Sequence, residues 1–132
     1  MTLFKSDNLI LHYVDPQIMH AEWCGYFSVD LVQSGCEQLI NQILEKKFRY
    51  LINDNRLVKG SWTQAISWLG ENFMPRLVGA GIEKIAFIYS PDEGAKYSVN
   101  RLLEVNSDYL GQTFNQYDCL LYTSPSPRDD IS

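Results

Sequence analysis

Three scarcities bound this chain before any motif is read. It holds only three cysteines (Cys24, Cys36 and Cys119) in 132 residues. They have neither metal-ligand spacing nor the even count of a disulfide framework, so they read as buried free thiols. Basic charge is short as well: 11 Lys and Arg against 16 Asp and Glu leave a net charge of −5. With no basic cluster anywhere, nucleic acid is excluded as an expected partner, because its binding begins with cations neutralising phosphates. Long apolar runs are missing too. None approaches the length of a membrane span, and the N-terminus lacks the charged and apolar regions of a signal peptide, so no stable membrane insertion and a cytoplasmic location are expected. The glycines follow no phosphate-loop spacing. No nucleophile–base pair, metal set or cofactor loop is visible, so the sequence predicts no cofactor and no enzymatic reaction.

What the chain does hold is centred on residues 49–89, RYLINDNRLVKGSWTQAISWLGENFMPRLVGAGIEKIAFIY. Tyr50-Leu51-Ile52 is a short apolar run, and Asn53-Asp54-Asn55 after it favour a turn because their side chains bond nearby amides. Ser61 and Gln64 are spaced for a capping box at the start of a helix. Trp62, Ile66, Leu69, Phe73 and Leu77 then recur on one helical face, which must be buried. Pro75 is expected to kink the last turn of that helix, and Gly79 and Gly81 to stop it. Residues 82–89 are apolar on both faces, as in a strand central to a covered parallel sheet. The whole is one β-α-β unit.

The flanks extend the same design. Residues 8–14 and 17–23 around Asp15-Pro16 predict a hairpin, with His12 and His20 facing each other across it. Two strand histidines without a third ligand read as surface residues before a metal or catalytic pair. Ser28 caps a helix whose apolar stripe includes Val32, Cys36, Leu39, Ile40, Ile43 and Leu44. Beyond the central unit, Ser90-Pro91-Asp92 makes a turn and 95–105 a helix with Val99, Leu102 and Leu103 inward. Residues 112–117 predict a last strand. The expected fold is α/β: an N-terminal β-hairpin, then β-α units forming a mostly parallel sheet of four to five strands packed by helices. One domain over 1–118 is expected.

Residues 119–129, CLLYTSPSPRD, stand apart. Written as DNA they resemble the translation of a transposase adapter used in sequencing libraries, which predicts an adapter-derived disordered tail over 119–132 and a native last helix that is missing here.

Within 8–118 the element order, Trp23 closing the second hairpin strand, Asp54-Asn55-Arg56, and the Pro-broken helix leading through Gly81 into Ile85-Ala86-Phe87 resemble the STAS/SEC14-type small bacterial domains, which are SpoIIAA-like. The resemblance implies a regulatory module that binds protein partners, or alternatively a SEC14-like domain for an apolar small molecule or lipid. In the sporulation regulators of that fold a serine after the third strand is phosphorylated; the one candidate here is Ser61, although Lys59-Gly60-Ser61-Trp62 departs from their motif. A phosphate at an N-cap would lie in a favourable field. Asp54, Asn55 and Arg56, at the carboxyl end of a strand, form a candidate loop site. Since nothing else chemical clusters with them in sequence, a loop-pinning role is favoured. The aromatics Trp62, Trp68, Phe73, Phe87 and Tyr89 read as core.

Overall fold

The computed structural model describes residues 1–106 and 116–120, the latter as backbone only. Strands β1 (Thr2–Lys5), β2 (Leu9–Asp15), β3 (Ile18–Gly25), β4 (Tyr50–Val58), β5 (Lys84–Ile88) and β6 (Gln116–Leu120) form one six-stranded sheet in sequence order. The sheet is mixed. β1–β2 and β2–β3 are antiparallel, while β3–β4, β4–β5 and β5–β6 are parallel. This corrects the expectation of a mostly parallel sheet of four to five strands. The difference lies at the N-terminus, where residues 2–5 (TLFK) pair with β2; so short a run carries no periodic signal to announce a strand. At the other end, β6 starts later than the expected strand and runs through Cys119 and Leu120, across the junction with the adapter-like stretch. Residues 107–115 and 121–132, and with them most of the expected tail, lie outside the described residues.

Helix α1 (Val29–Lys46) joins β3 to β4. Its N-cap is Ser28, whose hydroxyl accepts the Leu31 N–H at 3.2 Å, as the sequence predicts. Of the expected stripe, Val32, Cys36, Leu39, Ile40 and Ile43 are buried, but Leu44 lies outside the contact and is half exposed. Between β4 and β5 the chain stays helical but changes pitch: a 3₁₀ turn (Thr63–Ala65), α2 (Ile66–Trp68), a π turn (Leu69–Phe73) and α3 (Met74–Gly79). Pro75 explains the wide turn. Its nitrogen has no hydrogen for the Glu71 carbonyl and its ring would press on it, and the Met74 N–H instead reaches the Leu69 carbonyl five residues back. The stop comes from Gly81 alone, at φ +105°. Helix α4 (Glu93–Val105) follows β5, with the Asp92 carboxylate accepting the Ala95 N–H at 3.0 Å.

Sequential strand order with crossovers of one hand places every helix among the described residues on the same face of the sheet, and burial follows that rule. In β2 and β3, Leu9, Leu11, Met19, Ala21 and Trp23 are buried while their neighbours Ile10, His12, Ile18, His20 and Glu22 are half exposed. β5 behaves alike: Ile85 and Phe87 are buried, Ala86 and Ile88 half exposed. Residues 82–89 therefore do not form a strand covered on both sides. A single core cluster fills the space between helices and sheet.

Candidate functional site

The site is built on β4, where the sequence reading is corrected most. Asn53, Asp54 and Asn55 do not end the strand. They lie inside it, all three buried, because β3 pairs with them on one edge (Ala21 with Asn53, Glu22 with Asp54) and β5 on the other (Phe87 with Asn53, Ile88 with Asp54). Two ladders outweigh a local turn preference. The turn chemistry survives as a bulge: the register slips between Glu22 and Cys24, and the Asp54 Oδ1 accepts the Arg56 backbone N–H at 3.0 Å.

Alternation sends these residues to opposite faces. On the face that carries no helix among the described residues, the Asp54 carboxylate is 1% exposed and accepts the Arg56 Nε–H at 2.9 Å, the Arg56 Nη2–H at 2.5 Å and the His20 Nε2–H at 2.8 Å. Burial alone would raise its pKa; the hydrogen bonds from His20 and Arg56 outweigh that and hold it well below the usual carboxylate range. Next door, the His12 Nε2–H donates to Glu22 Oε1 at 2.9 Å, and the two imidazoles lie 5.1 Å apart. The expected cross-strand pairing of His12 with His20 is present. Asp54 and Arg56 do bond each other, as a loop-pinning role requires, but they also join a five-residue polar array that includes His12, His20 and Glu22. Among the described residues no set of three or more His, Cys, Asp or Glu is placed to hold a metal ion.

On the helix-covered face, Asn53 and Asn55 point into the core. Asn53 Oδ1 accepts the Trp23 Nε1–H at 3.0 Å. Asn55 is 8% exposed, and its amide has no hydrogen-bond partner among the described residues. Both asparagines line a cavity of about 60 Å³ at the carboxyl ends of β3, β4 and β5, walled by Trp23, Phe27, Trp62, Phe73, Met74 and Phe87 among others. The π turn supplies Leu69 and Phe73 to this wall. Cys36 also lines it; burial pushes its thiol far above the ordinary range, with Glu37 adding to the shift and Arg76 opposing it, so the sulfur is neutral and unreactive.

Ser61 is exposed and lies in the loop after β4. The capping box does not form. Trp62 takes the N-cap position of the 3₁₀ turn without a side-chain bond, and its N–H goes to the Ser98 hydroxyl of α4 at 2.9 Å. Ser61 Oγ accepts the Thr63 N–H at 3.4 Å and lies 3.3 Å from Ser98 Oγ. The loop is fixed by α4: the Asp92 carboxylate accepts the Gly60 N–H at 3.0 Å and the Ser90 hydroxyl donates to the Val58 carbonyl at 2.8 Å. Of the four residues singled out in sequence, the structure brings Asp54 and Arg56 together, turns Asn55 to the opposite face and leaves Ser61 apart. The cavity is not legible in the sequence, although Leu51, Asn53 and Asn55 share a parity that places two amides on a buried face once the strand is known to continue.

The chain matches no protein-family model, no curated protein and no solved structure.

Proposed function

We propose that this domain binds a small, largely apolar molecule in the cavity between the sheet and the helices. The observation that carries this reading is an aromatic-walled cavity with a buried amide on its wall, Asn55, that has no hydrogen-bond partner among the described residues. Natural cores rarely leave a buried polar side chain without a partner, and a ligand group is one way to supply it. The position fits: open α/β sheets bind ligands at the carboxyl ends of their strands. The alternative implied by the STAS/SEC14-type resemblance, an apolar-ligand domain, is thereby favoured over the regulatory one. A phospho-switch at Ser61 rests on the field of a helix N-cap, and Ser61 does not occupy one. As to family, the hairpin followed by three β-α units supports a SpoIIAA-like assignment as our proposal.

The test uses the three indoles. Trp23 and Trp62 line the cavity and Trp68 does not. Titration of the protein with a panel of small neutral aromatic and aliphatic compounds, followed by NMR, is expected to move the indole N–H signals of Trp23 and Trp62 while that of Trp68 stays. A panel that moves none of them, or all three alike, overturns the proposal.

A further inference from the structure

Resting on that reading, we infer that the Asn55 carboxamide is the specificity-determining contact of the cavity, and that it selects an uncharged ligand whose inserted part is small and carries an adjacent hydrogen-bond donor and acceptor. Three observations converge. First, among the described residues the cavity wall has no Lys, Arg, His, Asp or Glu, and an ion brought into such a site would lose its hydration without a counter-charge. The ligand's buried part is neutral. Second, the volume of about 60 Å³ is well below the roughly 150 Å³ of an engineered cavity that takes up benzene, so only a small group enters. Met74, an adaptable side chain on the wall, gives some latitude.

Third, the two asparagines are not equivalent. The Asn53 oxygen is occupied by the Trp23 indole, so this amide is held in place as part of the wall. Asn55 has no such tie among the described residues, and it comes after Asn53 on the same face of β4. Its oxygen accepts and its nitrogen donates from one plane, which suits a partner that offers both functions side by side. An amide kept for this purpose carries an unmet desolvation cost in the empty protein. Removing it should therefore release stability while removing recognition, whereas deleting a structural hydrogen bond would lower stability.

The probes are pyrazole, whose adjacent N–H and N match a carboxamide, thiophene, a ring of equal size without either function, and propionate, an anion of equal atom count. Dissociation constants are measured by NMR on the parent protein, on Asn55→Leu and on Asn55→Ala. In the parent, pyrazole and thiophene are expected to bind and propionate not. In both variants pyrazole should weaken relative to thiophene by about tenfold, the loss expected for one buried hydrogen-bonded contact. Asn55→Leu should melt no lower than the parent. If pyrazole and thiophene bind the parent but their ratio is unchanged in the variants, the assignment of Asn55 is overturned while the binding reading stands. Binding of propionate in the cavity overturns the neutrality of the ligand. If neither neutral probe reaches the cavity of the parent, both the inference and the binding reading fall. A large loss of melting temperature in both variants makes Asn55 a structural residue and also overturns the inference.

Discussion

A carboxylate that is almost wholly buried yet ionised is held by its bonds, and Asp54 shows how. It receives hydrogen bonds from His20 and Arg56 on one face of the sheet, and its folded pKa is depressed. The unfolded chain therefore binds its proton more tightly, at the ordinary carboxylate value of about 3.9. The stability it contributes is fully present above that value and drains away as pH falls below it towards the depressed folded value. We expect urea midpoints to be flat in this respect from pH 7 to 5 and to drop below pH 4, with Asp54→Asn showing a shallower acid drop than the parent. At pH 7 the same substitution should cost about 2 kcal/mol, the scale of hydrogen bonds to a charged group. An equal acid slope in parent and variant would remove Asp54 from this role. In sequence the residue reads as part of a turn. Its i to i+2 backbone bond to Arg56 is indeed turn chemistry, and only the partners contributed by β3 and β5 make it a bulge inside a strand.

Among the elements, those announced by local signals are legible in the sequence and those decided by neighbours are not. The hairpin of β2 and β3, with its histidine pair, helix α1 with Ser28 as its cap, and helix α4 follow from alternation, 3.6-residue spacing and a capping residue close at hand. That Asp92 caps α4 is shown by the structure, since in sequence it reads as part of a turn. The start of the helix after β4 differs from its local signals because its first N–H is capped from another element, by Ser98 of α4, which no local spacing reveals. The length of β4 is hidden for the same reason. Contact between α1 and the sheet is especially close at one point: a Cβ added at Gly35 would stand 2.5 Å from Trp23 Cζ3 and 2.9 Å from Trp23 Cη2. Trp23 is not free to retreat, since its indole is bonded to Asn53 and forms the cavity wall. Gly35→Ala therefore gains about 1 kcal/mol of helix propensity but overpacks a rigid contact at about 1–3 kcal/mol. The expected net is a lower melting temperature together with a displaced Trp23 indole N–H signal. A variant as stable as the parent with that signal unmoved would show that α1 has room to shift.

For the molecule as a whole, the sequential strand order has a consequence that composition does not disclose. All helices share one face, so the domain has one core and one sheet face left without a helix among the described residues. On that second face stand the polar array around Asp54 and, between its members, the half-exposed Ile10, Ile18, Ile52 and Ile88, none of which belongs to the core cluster. An apolar strand such as β5 reads as covered on both sides because isoleucine and alanine on an open sheet face look the same in sequence as on a packed one. Adjacent residues of β4 separate the two arrangements. Leu51 is 1% exposed and faces the helices, while Ile52 is half exposed on the other side. Truncating a packed core residue costs about 2–5 kcal/mol through lost transfer energy and the cavity left behind, whereas a half-exposed side chain loses only part of its transfer term and leaves no cavity, about 1 kcal/mol. Guanidinium unfolding of Leu51→Ala and Ile52→Ala should therefore differ by at least about 1–2 kcal/mol in that order. If the two substitutions cost the same, Ile52 is packed as tightly as Leu51, the second face is covered, and the one-sided architecture on which the placement of the cavity depends would have to be given up.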